Sequence, residues 1–152
     1  MRRTGAFAQL FMIFSSFFAA FSAAEDLIIS GWLEFPGGRP TIPLGSTYRV
    51  TLQDISLADA ASETLCVFKG NAEKANDGAA LNFELRLSDE ERQRRRNRHL
   101  AVAAVVNIGW EAEDGGSEWI RRGDFMNEFV ETVHHSDETN TIDNFIVRMR
   151  QV

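Results

Sequence analysis

From Leu27 onward the chain is dominated by alternation of apolar and polar positions. Leu27, Ile29, Gly31, Leu33 and Phe35 alternate with Ile28, Ser30, Trp32 and Glu34. Period two over that length predicts a strand with one strongly apolar face. Pro36-Gly37-Gly38-Arg39-Pro40 ends it, since proline fixes φ and glycine admits backbone angles that other residues avoid. After an extended lead-in at Ile42–Gly45, Tyr48, Val50 and Leu52 alternate with Thr47, Arg49, Thr51 and Gln53. This is the cleanest amphipathic strand in the chain, and its polar side predicts an antiparallel sheet with one face in water.

The polar segment Asp54–Ala61 reads as a corner. Asp54, Ser56 and Asp59 can each accept local backbone hydrogen bonds, which favours turns over helices. A third strand is predicted at Glu63–Phe68, a polar loop at Gly70–Gly78, and a fourth strand within Ala79–Leu87. Ser88 followed three residues on by Glu91 is a helix start, and the helix it opens is short. His99–Trp110 is a fifth strand. It is apolar on both faces through Ala101–Val106, which predicts a central position. Glu118–Arg121 suits a short strand, and Phe125–Val133 fits helix or strand equally. Ile142–Met149 closes the chain as a strand.

About seven short strands separated by turn signals predict an all-β fold. The expected form is an immunoglobulin-like antiparallel β-sandwich or a small barrel. The βαβ alternation of a parallel sheet is missing.

The N-terminus changes the domain picture. Arg2 and Arg3 precede an uncharged apolar run from Ala6 to Phe21, and Ser22-Ala23-Ala24 offers small residues before Glu25. This is the pattern of a secretory signal helix cleaved after Ala24. The expected organisation is a signal peptide at 1–24 and one β-sandwich domain at 25–152. The expected location is secreted or periplasmic, with no stable membrane anchor after cleavage. Cleavage removes two arginines and no acid, so the formal net charge moves from −6 to −8. An acidic domain of this kind is not a general nucleic-acid binder, because phosphate contact needs basic surface. Cys66 is the single cysteine. It excludes an internal disulfide and, within an apolar run, reads as a small buried hydrophobe.

Candidate chemistry is sparse. No nucleophile elbow, His-Glu-x-x-His motif or phosphate-cradling glycine loop is present, so no catalytic residue and no cofactor is assigned. His134 and His135 would point to opposite faces of a strand, which disfavours a shared metal. Arg92, Arg94, Arg95, Arg96 and Arg98 form the most unusual run. As a functional site it would meet a polyanion or an acidic partner, or serve as a multibasic processing site on a secretory route. As structure it would balance Asp89, Glu90 and Glu91 beside it. Trp32, Trp110 and Trp119, with Phe35 and Phe68, would line an apolar binding groove or fill the core. Trp32 and Trp110 are the candidate partner-binding aromatics, and Trp32 stands out because it falls on the more polar face of its strand.

Several segments carry a resemblance. Ile29-x-Gly31, Ile42-Pro43-Leu44-Gly45-Ser46 and Val50-Thr51-Leu52-Gln53-Asp54-Ile55-Ser56-Leu57-Ala58-Asp59-Ala60 resemble the pattern of the YbaY/YscW family. Asn82-Phe83-Glu84-Leu85 and His99–Val105 resemble its later strands. The most specific segment is Leu52–Asp59, where Asp54, Ser56 and Asp59 mark the family turn. The family comprises bacterial envelope lipoproteins, including type III secretion pilotin-like chaperones. The resemblance implies a small exported β-sandwich without catalysis, with a chaperone or pilot role in some members. One departure stands out. Ser22-Ala23-Ala24-Glu25 lacks the cysteine that family lipoproteins carry for acylation. The expected function is a non-catalytic binding or chaperone-like module with a protein partner. The alternatives are a polyanion binder through Arg92–Arg98 and an enzyme of unrecognised type.

Overall fold

The computed structural model describes residues 25–152, so the expected signal peptide lies outside the described residues. Among the described residues there are eight strands: β1 (Leu27–Glu34), β2 (Thr47–Asp54), β3 (Glu63–Asn71), β4 (Asn82–Leu87), β5 (Leu100–Asn107), β6 (Phe125–Asn127), β7 (Glu131–Val133) and β8 (Thr141–Gln151). One short helix, α1 (Asp89–Arg94), joins β4 to β5. Ser88 caps it, with its hydroxyl accepting from the Glu91 amide at 3.3 Å. A 3-10 helix at Ala72–Asp77 occupies part of the expected polar loop and ends at Gly78, where φ is 82°.

The strands follow the order β3-β2-β5-β6-β8-β1-β4, and β7 pairs with the other half of β5. β5 is therefore central, as its apolar pattern predicts. The sheet wraps into a nearly closed barrel, so the all-β expectation is met by barrel-like closure of one bent sheet. Most pairs are antiparallel, but β1 and β8 run parallel. β8 serves both halves of the wrap: its start lies along β1 and its end pairs with β6. Glu118–Arg121 does not form a strand, and the ambiguous Phe125–Val133 segment resolves into the two short strands β6 and β7.

Inward positions fill the interior. Leu27, Ile29, Val50, Leu52, Leu85, Leu100, Val102, Val106 and Val147 are all essentially inaccessible. Each such side chain contributes about 1.5–3 kcal/mol relative to remaining in water.

The free edges, β3 and β4, lie side by side, and side chains bridge them. The Leu33 amide donates to Leu81 O, so Phe83, Leu85 and Leu87 also direct backbone groups at β1. Asn82, Glu84 and Arg86 then face β3. Tyr48 crosses Gly70 of β3, where a Cβ would fall 2.4 Å from its ring, and its hydroxyl donates to Asn82 O. Cys66 sits farther along the seam, half-buried rather than fully buried. Burial pushes its thiol pKa up, against hydrogen bonding with the Arg86 and Leu52 backbone.

Candidate functional site

The arginine run closes one end of the barrel. α1 delivers Arg92 inward, where it is 7% exposed. Its guanidinium donates to four backbone carbonyls: Glu25 (3.3 Å), Ser136 (2.7 Å), Asp137 (3.2 Å) and Thr139 (2.7 Å). One side chain thereby ties the start of β1 to the β7–β8 turn. Arg95 points to the opposite corner, donating to Asp54 at 2.7 Å and to Glu63 at 2.8 and 2.9 Å. Arg94 pairs with Glu90 and Glu91, and Arg96 with Asp137. Arg98 is half-exposed, 4.0 Å from Asp54. Arg92 and Arg95 form an internal clasp on acids and carbonyls of the same chain, while Arg94, Arg96 and Arg98 stay largely exposed, the first two of them paired with neighbouring acids.

The Leu52–Asp59 corner belongs to this clasp. Asp54 Oδ1 accepts from the Ser56 amide at 3.0 Å, and Ser56 Oγ accepts from the His99 amide at 2.8 Å. Asp59 lies exposed on the corner, outside this network. Burial raises the Asp54 pKa, but hydrogen bonds from Ser56 and Arg95 outweigh it and bring the carboxyl down to about 2. A carboxylate with a depressed folded-state pKa stabilises the fold above its unfolded pKa, and that stability is lost as pH falls through the folded value. The advantage of the parent over Asp54→Asn should therefore shrink by about 2 kcal/mol between about pH 5 and pH 2. Urea unfolding across that range measures it, and a constant difference would refute the assignment.

The aromatic candidates separate. Trp32 points outward from β1, half-buried beside Asn82 and Asn144 on an open depression. Trp110 is built into a loop. Its Nε1 lies 3.1 Å from both oxygens of Asp124, and the Arg121 guanidinium stacks 3.8 Å from its ring centroid. Asp124, which the sequence pattern did not single out, is 1% exposed. His134 and His135 are not drawn into a ligand set: among the described residues, no group of three His, Cys, Asp or Glu side chains is placed to hold a metal.

The structure places Trp119, but neither Trp32 nor Trp110, beside a groove. It crosses the outer face of β2 and β5 and has a volume of about 370 Å³. Thr51 and Ala103, which pair across the two strands, form its floor. Trp119 and Met126 stand at its sides, and Arg49 lies at one end. Trp119 is 49% exposed. The groove exists because β5 turns the small Ala103, followed by Val105, outward while Leu100, Val102 and Ala104 fill the core. Several of its polar groups are paired within the chain: Gln53 donates to Thr51 Oγ1, Ser62 donates to Gln53, and the Asn127 side chain accepts from the Ala104 amide and donates to Phe129 O.

No family model and no curated protein matches the chain. Among solved structures, an alternative pilotin from the type II secretion system of Vibrio cholerae matches with a TM-score of 0.57 at 18% identity, covering 84% of this chain and all of that one. The fold is pilotin-like. At this identity the likeness concerns fold alone, and the YbaY/YscW resemblance remains one of sequence pattern.

Proposed function

We propose that the protein is an exported, non-catalytic module that holds a segment of a partner polypeptide, in a pilot- or chaperone-like role. The observation that carries this is the groove over Thr51 and Ala103. A small-residue floor beside a half-exposed Trp119 is a surface suited to apolar side chains from another chain. The pilotin-like fold supports the role, and the signal pattern at 1–24 supports export. An enzyme would call for reactive groups converging in a cleft. This groove is lined by no His, Cys, Asp or Glu, its one charged lining group is Arg49, and none of Asp54, Asp59 or His134 lines it. The β3–β4 edges are a weaker docking site, because each faces the other and Tyr48 spans them.

A photo-crosslinking amino acid placed at Trp119, in the protein's native compartment, should give one discrete protein adduct. Ala103→Phe, which fills the floor, should abolish that adduct while leaving the unfolding midpoint nearly unchanged. The same crosslinker at the exposed Leu57, outside the groove, should give none. Adducts that survive Ala103→Phe, or that form equally from position 57, would count decisively against the groove.

A further inference from the structure

Arg49, at one end of the groove, is directly opposed across the β2–β3 ladder by Lys69, which lies just beyond the groove lining on the outer face. Like charges at such a position repel, so this pair calls for an anion between them. Asp114 supplies it. Lys69 Nζ lies 2.5 and 2.6 Å from the two Asp114 oxygens, and Arg49 Nη2 lies 3.2 Å from one of them. The carboxylate is not built in. Its side chain is 74% exposed and it rides on the loop Glu111–Ser117, where Gly115 and Gly116 follow it directly. Ion pairs so open to water are weakly held and are screened by salt. An acceptor carried on an exposed, glycine-rich arm at the end of a groove has the geometry of a replaceable ligand.

We propose that Asp114 is an internal stand-in for a carboxylate of the partner segment, and that the segment is extended, with an acidic side chain at Arg49–Lys69 and an apolar one two residues away over Ala103. This inference rests on the groove being the partner site. The spacing follows from the sheet: Arg49 and Thr51 lie two residues apart on one face of β2, about 7 Å along the strand, and Ala103 sits opposite Thr51. An extended peptide has the same repeat, so an acidic-x-apolar pattern matches both positions at once. The domain is acidic as a whole, so a cationic pair at this place gives the groove a charge that its surroundings lack.

The test uses two blocked pentapeptides, acetyl-Phe-Ser-Asp-Ser-Phe-amide and its Asn counterpart, which present the apolar group on either side of the central residue. Calorimetric titration into Asp114→Ala should show the Asp peptide binding about tenfold more tightly than to the parent, and about tenfold more tightly than the Asn peptide. Both differences should fall as salt rises. They should vanish when Arg49→Gln and Lys69→Gln are added. Equal binding of the Asp and Asn peptides to Asp114→Ala would overturn the carboxylate exchange and leave the groove standing. Failure of both peptides to bind any variant would overturn the exchange and the groove together.

Discussion

Asp124→Asn, an almost isosteric change, lowers the unfolding free energy by about 3 kcal/mol and Asp124→Ala by more, because a buried carboxylate surrounded by donors leaves them unpaired when it goes. Both Asp124 oxygens are fully used. Oδ1 accepts from the Ile108 amide at 2.8 Å, and Oδ2 accepts from the Arg121 amide at 2.8 Å and from Asn107 Nδ2 at 3.1 Å. Trp110 Nε1 reaches both. An asparagine keeps one acceptor and turns an NH2 group toward donors, so its loss of stability comes from hydrogen bonding and not from volume. Urea unfolding followed by tryptophan fluorescence measures the effect, and a cost below about 1 kcal/mol for Asp124→Asn would refute the role. The groove should suffer as well. Asn107 donates both to Asp124 and to Trp119 O at 3.1 Å, so the same carboxylate positions the wall residue Trp119.

Asp124 also shows what local pattern can and cannot convey. The inward faces of β1, β2, β4 and β5 were legible, because period-two alternation is a property of neighbouring residues and burial acts on it directly. Ser88 and Glu91 marked α1 for the same reason. The β1–β8 parallel pair was not legible, since it joins residues more than a hundred positions apart and no local signal specifies that partner. Glu118–Arg121 has strand-like composition, but the Arg121 backbone and the Trp119 carbonyl serve the Asp124 cluster instead of a ladder. The arginine run was visible as composition. Its role depends on Glu25, Glu63 and Ser136–Thr139, which only the closed barrel brings to one end. Ala101 and Ala103 correctly placed β5 at the centre. That the outer side of Ala103 forms a groove floor depends on Trp119 and Met126, which arrive from other segments.

Gly31→Ala should be the most damaging single-methyl change in the protein, costing about 3 kcal/mol or more. A Cβ at Gly31 would lie 1.7 Å from Phe145 O and 2.6 Å from its carbonyl carbon. These are backbone atoms of β8, so no side-chain rotation relieves the clash. The close approach arises where the β1–β8 register slips by one residue between Ile29 and Gly31, with Asn144 at φ 57° in the extra position. Gly31 itself has no positive φ, so alanine is conformationally acceptable there and the whole cost falls on the contact. Gly38→Ala is the matching control. Gly38 has φ 99° with nothing within 4 Å, so its penalty is conformational alone and should be about 1 kcal/mol. Thermal unfolding of the two variants separates the effects. Were Gly31→Ala no worse than Gly38→Ala, β8 could not lie against β1 in this register. The parallel pair that joins the two halves of the barrel would then be wrong. The comparison therefore tests the closure on which the core, the arginine clasp and the outer groove all depend.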